Sequence, residues 1–186
     1  MTRQDRFEAL FAADPDPWNF ETSEYERDKR TETLSMLGDR LFESGLEIGC
    51  ATGVLTQELA TVCKRIVGID IAEPALQIAR KRLKRRGNVD FQQGNIPRNW
   101  PEGAFDLIVL SEVLYFLDER EIVEVSSIAH GTLSRDGACL LVNWTGPNDL
   151  PLDGNSVVEI FGKAANWRPV RQVCYPQYRL DRFEIP

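Results

Sequence analysis

The chain has 186 residues, a formal net charge of -7, 42% hydrophobic and 27% charged residues, 13 glycines and 10 prolines. Those proportions exclude disordered, collagen-like and disulfide-stapled chains, and the length suits one domain able to bury about 70% of its unfolded surface. Four scattered cysteines, a single histidine (His130) and the absence of any long apolar run imply no metal, no membrane span and a cytoplasmic location, while the acidic balance disfavours nucleic acid.

In chain order, Asp14-Pro15-Asp16-Pro17-Trp18 cannot continue a helix and is expected as an ordered loop. Ser23-Glu24-Tyr25-Glu26 predicts a capping box, with Ser23 at the N-cap and Glu26 reaching back, opening a helix that turns Leu34 and Leu37 inward. A strand over 45–48 leads through a glycine turn to a helix on which Leu55, Leu59 and Val62 recur, and a second strand covers 66–69. The next helix starts at Pro74, buries Leu76, Ala79 and Leu83, and ends in the basic run Arg80-Lys81-Arg82-Leu83-Lys84-Arg85-Arg86, whose cations suit a helix C-terminus. Strands succeed it over 89–92 and 105–110, the latter apolar on both faces as a central parallel strand must be. A helix carrying Ile122, Val125, Ala129 and Leu133 precedes a strand over 138–142. A polar loop over 146–155, a short helix over 157–164 and two β-like runs over 170–174 and 178–185, fitting an antiparallel hairpin, complete the chain. Strands alternating with helices predict an α/β fold with a mostly parallel sheet.

The segment Leu46-Glu47-Ile48-Gly49-Cys50-Ala51-Thr52-Gly53 spells Glu-x-Gly-x-x-x-Gly at the end of the first strand. Glycines there let the backbone turn tightly and approach a ligand, which in open α/β sheets lies beyond the carboxyl ends of the strands. Asp70, about 20 residues past Gly49, stands where a carboxylate accepts ribose hydroxyls. A dinucleotide would prefer Gly-x-Gly-x-x-Gly, which leaves helix amides free for a pyrophosphate, and Glu47 would repel phosphate. The pattern therefore points to an adenosine-containing cofactor of another kind.

That combination resembles the class I S-adenosylmethionine-dependent methyltransferases, through the glycine loop, Asp70, Gln93-Gly94-Asn95-Ile96, Leu110-Ser111-Glu112-Val113-Leu114-Tyr115 and the turn Leu133-Ser134-Arg135-Asp136-Gly137. The resemblance implies a Rossmann-like sheet of seven strands with helices on both faces and a C-terminal antiparallel hairpin. It further implies that Glu47, Gly49, Cys50, Ala51 and Gly53 face the methionine end of the cofactor, that Asp70 and Ile71 meet its ribose, and that Asn95 and Ile96 meet its adenine. Asn95 departs from the usual Asp, yet its carbonyl oxygen still accepts from an amine. Ser111 would lie beneath the methyl group, and Arg27 would reach the cofactor carboxylate or pair with Glu24. Asp16-Pro17-Trp18, Tyr25-Glu26-Arg27, the glycine loop and Ser111-Glu112-Val113-Leu114-Tyr115 together look like the nodulation protein S group, which N-methylates the amino sugar at the non-reducing end of a deacetylated chitooligosaccharide.

The resemblance implies one methyltransferase domain, with an N-terminal helical flap over 1–43, a cofactor-binding core over 44–145 and an acceptor-side loop, helix and hairpin over 146–186. The expected partner is a small-molecule or oligosaccharide amine acceptor, S-adenosyl-L-methionine is the cofactor, and S-adenosyl-L-homocysteine is the product. A protonated amine has no lone pair, so a carboxylate or phenol must help remove its proton; Glu112 and Tyr115 are the catalytic candidates. Trp18 and Tyr25 are candidates for lining the acceptor site. His130, the obvious stronger base for an alcohol, falls at the rim opposite the cofactor, which favours nitrogen over oxygen. Two alternatives stand beside this reading: an RNA or tRNA methyltransferase using the basic run, and a non-catalytic S-adenosylmethionine-binding regulatory module.

Overall fold

In the computed structural model, which describes residues 1–186, seven strands form one sheet in the order β3-β2-β1-β4-β5-β7-β6. They are β1 (Phe42–Ile48), β2 (Cys63–Asp70), β3 (Val89–Gln93), β4 (Phe105–Ser111), β5 (Leu133–Trp144), β6 (Arg168–Cys174) and β7 (Tyr178–Glu184). The helices are α1 (Arg3–Ala13), α2 (Glu24–Ser35), α3 (Val54–Leu59), α4 (Glu73–Leu83), α5 (Glu119–Thr132) and α6 (Gly154–Ala164), with a 3-10 turn at Leu114–Phe116. The chain divides into two compact units, Met1–Asn95 and Ile96–Pro186.

In the first unit β2 pairs in parallel with both β1 and β3. Opposite Glu47 stands Gly68, where a Cβ would come within 2.9 Å of the Phe91 ring and 3.1 Å of the Cys50 Cβ, so only glycine fits. Leu76, Ala79 and Leu83 of α4 turn inward as their spacing predicts and pack with Cys50 and Phe91. Burial of a leucine such as Leu76 contributes about 2 kcal/mol. Helix α3 ends at Leu59, so Val62 lies beyond it.

Helix α1 lies outside the elements expected from the sequence, where the Asp-Pro loop is the first feature. Its start is nevertheless encoded: Thr2 accepts from the Asp5 N–H at 3.1 Å and the Asp5 carboxylate accepts from the Thr2 N–H at 2.8 Å, a reciprocal cap. Its apolar side packs Phe7 and Phe11 against Ala72, Ala75, Ala51 and Ile71, with Phe20 from the following loop. The cap expected at α2 forms by half. Ser23 accepts from the Glu26 N–H, but the Ser23 N–H is taken by the Asn19 carbonyl at 2.9 Å and the Glu26 carboxylate turns to a buried ion pair with Lys29 at 3.0 Å.

In the second unit β4 and β5 are parallel, and β7 and β6 add an antiparallel hairpin. Residues Leu107, Ile108, Val109 and Leu110 are fully buried, as a central strand requires. The turn expected at 133–137 becomes an irregularity inside β5: Leu133 pairs with Phe105 and Ala138 with Leu107, so the intervening residues loop out without ending the strand. Leu133 is accordingly the first residue of β5, not the last inward position of α5. Helix α5 opens on a reciprocal cap between Asp118 and Glu121 and buries Ile122, Val125 and Ala129. His130 packs edge-on against Trp167 with ring centroids 5.0 Å apart. Helix α6 starts at Gly154, capped by Asp153, whose carboxylate accepts the Asn155 and Ser156 N–H groups at 2.8 Å, and a Cβ at Gly154 would stand 2.1 Å from the Trp144 carbonyl oxygen.

Candidate functional site

The first unit builds a cradle from the ends of β1 and β2, where the sequence places the expected cofactor residues. The loop after β1 passes through the left-handed region three times, at Gly49 (φ 82), Ala51 (φ 45) and Gly53 (φ 77). Two of those positions are glycine, which accepts that conformation without penalty; Ala51 is a strained exception of the kind that collects at functional sites. Asp70 fixes the strained residue: one carboxylate oxygen accepts the Ala51 N–H at 2.9 Å and the other accepts the Ala72 N–H at 2.9 Å. Each oxygen keeps further acceptor capacity, so the carboxylate can order the loop and still take a ribose hydroxyl. The Gly49 and Cys50 amides are spent on the Ile69 carbonyl at 2.8 and 3.1 Å. The loop amides of Gly49, Cys50, Ala51 and Gly53 thus all have protein acceptors and do not form an anion nest, which agrees with the exclusion of a pyrophosphate. The Thr52 hydroxyl in the same loop is buried without a partner, a polar group for which a bound ligand is the natural complement.

Glu47 is buried beneath this loop and accepts a 2.6 Å hydrogen bond from the Thr56 hydroxyl. Burial pushes its carboxyl up to about 7, against the Thr56 bond that lowers it, and the nearby Asp70 adds to the rise. Asp70 is raised too, first by burial, with the Ala72 and Ala51 amides opposing. The Cys50 thiol is pushed upward by burial and then by the charges of Asp70 and Glu47, so it stays protonated and is no nucleophile. A carboxyl raised from 4.5 to about 7 in the folded state holds its proton while the unfolded chain loses it, so the stability of the ligand-free protein falls as pH rises through that window. Replacing Glu47 by Gln removes that slope. Urea titrations should show the variant gaining about 2–4 kcal/mol on the parent between pH 5 and pH 8, whereas parallel curves would disprove the shifted carboxyl.

The remaining expected cofactor and acceptor residues of this unit have protein partners. The Asn95 side-chain oxygen, expected to accept from adenine, accepts from Arg3 at 3.3 Å. Ile71 and Ala51 are covered by the α1 cluster. Trp18 joins that cluster too, its ring 5.6 Å from both Phe11 and Phe20. Arg27 is exposed and pairs with Glu24 at 3.1 Å, whereas Arg30, which no sequence motif marks, binds Glu58 at 2.9 Å and the Phe20 carbonyl at 2.7 Å. Tyr25 lies half-buried beneath the Lys29 ammonium, 5.2 Å from its ring centre.

The second unit carries a carboxylate cluster at the end of β4. Ser111 closes the strand, and Glu112 succeeds it at φ 56, a strained backbone for a residue with a side chain. One Glu112 carboxylate oxygen accepts the Tyr115 hydroxyl at 2.5 Å and the Trp144 backbone N–H at 2.7 Å. The Glu112 N–H donates to the Val142 carbonyl at 2.8 Å, so backbone and side chain are both tied to the end of β5. The structure thereby joins the two expected catalytic residues and adds Trp144, which sequence distance concealed. Ile96 is buried just after β3. Asn143, beside Trp144, has both amide atoms buried without a partner.

The strand order with its terminal antiparallel hairpin, the glycine loop and the acidic residue after β2 define the Rossmann-like methyltransferase fold. Residues 3–141 match the nodulation protein S family, and the chain belongs to it. It is 30% identical over 120 residues to nodulation protein S of Sinorhizobium fredii and 34% identical over 122 residues to that of Bradyrhizobium diazoefficiens. Each alignment spans 64% of this chain but only 55% and 56% of those relatives. Among solved structures, the N-methyltransferase NodS of Bradyrhizobium japonicum WM9, in complex with S-adenosyl-L-homocysteine, is 28% identical with a TM-score of 0.88, covering 100% of both chains. No helix is long and apolar enough to cross a membrane.

Proposed function

We propose that the chain is an S-adenosylmethionine-dependent methyltransferase that N-methylates a small or oligosaccharide amine, of which an amino sugar is the favoured kind, in the cytoplasm. The observation that carries this reading is the loop over 49–53 anchored by Asp70 above the buried Glu47, in a chain of the nodulation protein S family. Asp70 would hold the ribose, and Glu47 and the loop would face the methionine end. The cofactor supplies an already activated methyl group, so the chain's own task is to position the acceptor about 3 Å away and relieve it of a proton. Glu112 is the proposed proton acceptor and Tyr115 the phenol that orients it. The basic run supports a small acceptor over RNA, since Arg80 is engaged by Glu73 and the Phe91 carbonyl and Arg82 by Glu21 and the Thr52 carbonyl.

Calorimetric titration with S-adenosyl-L-homocysteine and, separately, NAD tests the foundation. Micromolar binding of the first and none of the second is expected. Tight NAD binding, or failure of S-adenosyl-L-homocysteine to bind, would overturn it.

A further inference from the structure

Trp144 is the residue that ties the Glu112 cluster to the end of the sheet, and its surroundings are built for its ring. Its indole N–H donates to the Pro147 carbonyl at 3.3 Å. A Cβ at Gly146 would stand 2.3 Å from the indole carbon Cζ2, so the loop backbone lies close against that ring where a side chain would clash. Across the antiparallel pair Trp144 stands opposite Tyr178, and the Thr145 N–H donates to the Gln177 carbonyl at 2.9 Å, which locks the β6–β7 turn to this place. Tyr178 is stacked by Tyr175, with ring centroids 4.5 Å apart and planes 18° from parallel, and the Tyr175 N–H closes the turn on the Tyr178 carbonyl at 2.8 Å. Trp144 and Tyr175 remain half-exposed while Tyr178 is buried as their support.

Directly opposed residues of an antiparallel pair hold their Cβ atoms about 5 Å apart, so these rings span roughly the length of one pyranose. A protonated amino sugar presents an apolar C–H face and a cation. The first suits aromatic rings and the second suits a carboxylate, with a ring face nearby adding to the attraction for the cation. We infer that Trp144 and Tyr175, backed by the buried Tyr178, form an aromatic strip that receives the sugar ring of an amino-sugar acceptor, its amine directed to Glu112. This assignment deepens the proposed N-methyltransferase activity and rests on it for its biological meaning, although the binding itself does not require turnover.

The test is titration of a fully deacetylated chitosan tetrasaccharide onto the S-adenosyl-L-homocysteine-saturated protein and onto Trp144→Ala, Trp144→Phe and Tyr175→Ala. Expected are at least a tenfold weaker affinity for the two alanine variants, recovery of most of it in Trp144→Phe, and unchanged S-adenosyl-L-homocysteine affinity in Tyr175→Ala, with a small fall in melting temperature from the lost stacking on Tyr178. Equal affinity in all four proteins, or no binding of the tetrasaccharide to the parent, overturns the strip. If the ring-dependent binding is found but a parallel incubation with S-adenosyl-L-methionine transfers no methyl group to the tetrasaccharide, the strip stands and the proposed activity falls, so the two failures are distinguishable.

Discussion

Asp70→Ala should weaken S-adenosyl-L-homocysteine binding at least about 100-fold and cost about 2–4 kcal/mol of stability, the largest double effect expected of any single change in the first unit. The two losses have separate origins. Stability falls because the Ala51 and Ala72 amides lose their 2.9 Å acceptors, and Ala72 is fully buried. Affinity falls because the ribose acceptor is gone and because Ala51, at φ 45, has nothing left to hold it there. Asp70→Asn separates these terms, since its remaining oxygen can still accept one amide while its NH2 faces the other as a second donor. Its stability should lie between those of parent and alanine variant, with affinity near the alanine level. Calorimetry and urea titration on the three proteins decide the matter. An affinity loss below tenfold alongside the full stability loss would make Asp70 only a loop anchor.

The strands and the cradle were legible because each depends on short-range pattern. The apolar run of β4 and the inward spacing of Leu76, Ala79 and Leu83 are consequences of burial, and the structure buries all of them. Glu47, the glycine loop and Asp70 lie within one βαβ step and could be read together. Illegible were features set by burial or by partners far along the chain. Glu26 forsakes its cap for Lys29 because that pair is buried, which no local rule reveals. Asn95 takes Arg3 as donor from a residue more than 90 positions away, delivered by a helix whose apolar pattern is weak although Thr2 and Asp5 spell its cap. Trp144 falls between the strand expected over 138–142 and the loop expected over 146–155; Gly146 and Gly154 near it were a usable signal, since a Cβ at either would clash with its ring or carbonyl. The aromatic pair Tyr175 and Tyr178 similarly flanks a turn whose importance comes only from the strand it meets.

Glu112→Gln should lower the turnover of methyl transfer to an amine acceptor about 100-fold or more while leaving S-adenosyl-L-homocysteine affinity within about twofold, because general-base assistance is typically worth about 10²–10⁴. The substitution keeps the shape and one side-chain oxygen, so the Trp144 N–H retains an acceptor and the Tyr115 hydroxyl, which can also accept, retains a partner. What is removed is the negative charge that attracts an ammonium and takes its proton. Tyr115→Phe removes one donor from the same carboxylate and leaves the charge, so a smaller loss, about tenfold, is expected. The backbone at φ 56 gives a control, since Glu112→Gly deletes the carboxylate while relief of that strain offsets part of the cost of leaving the Trp144 N–H and the Tyr115 hydroxyl without their acceptor, and its turnover should match that of the glutamine variant. Equal losses of turnover and cofactor affinity in Glu112→Gln would place the carboxylate in cofactor binding. Undiminished turnover in both variants would leave it a tie between β4 and β5, its two donors serving to fix the strand ends and nothing more.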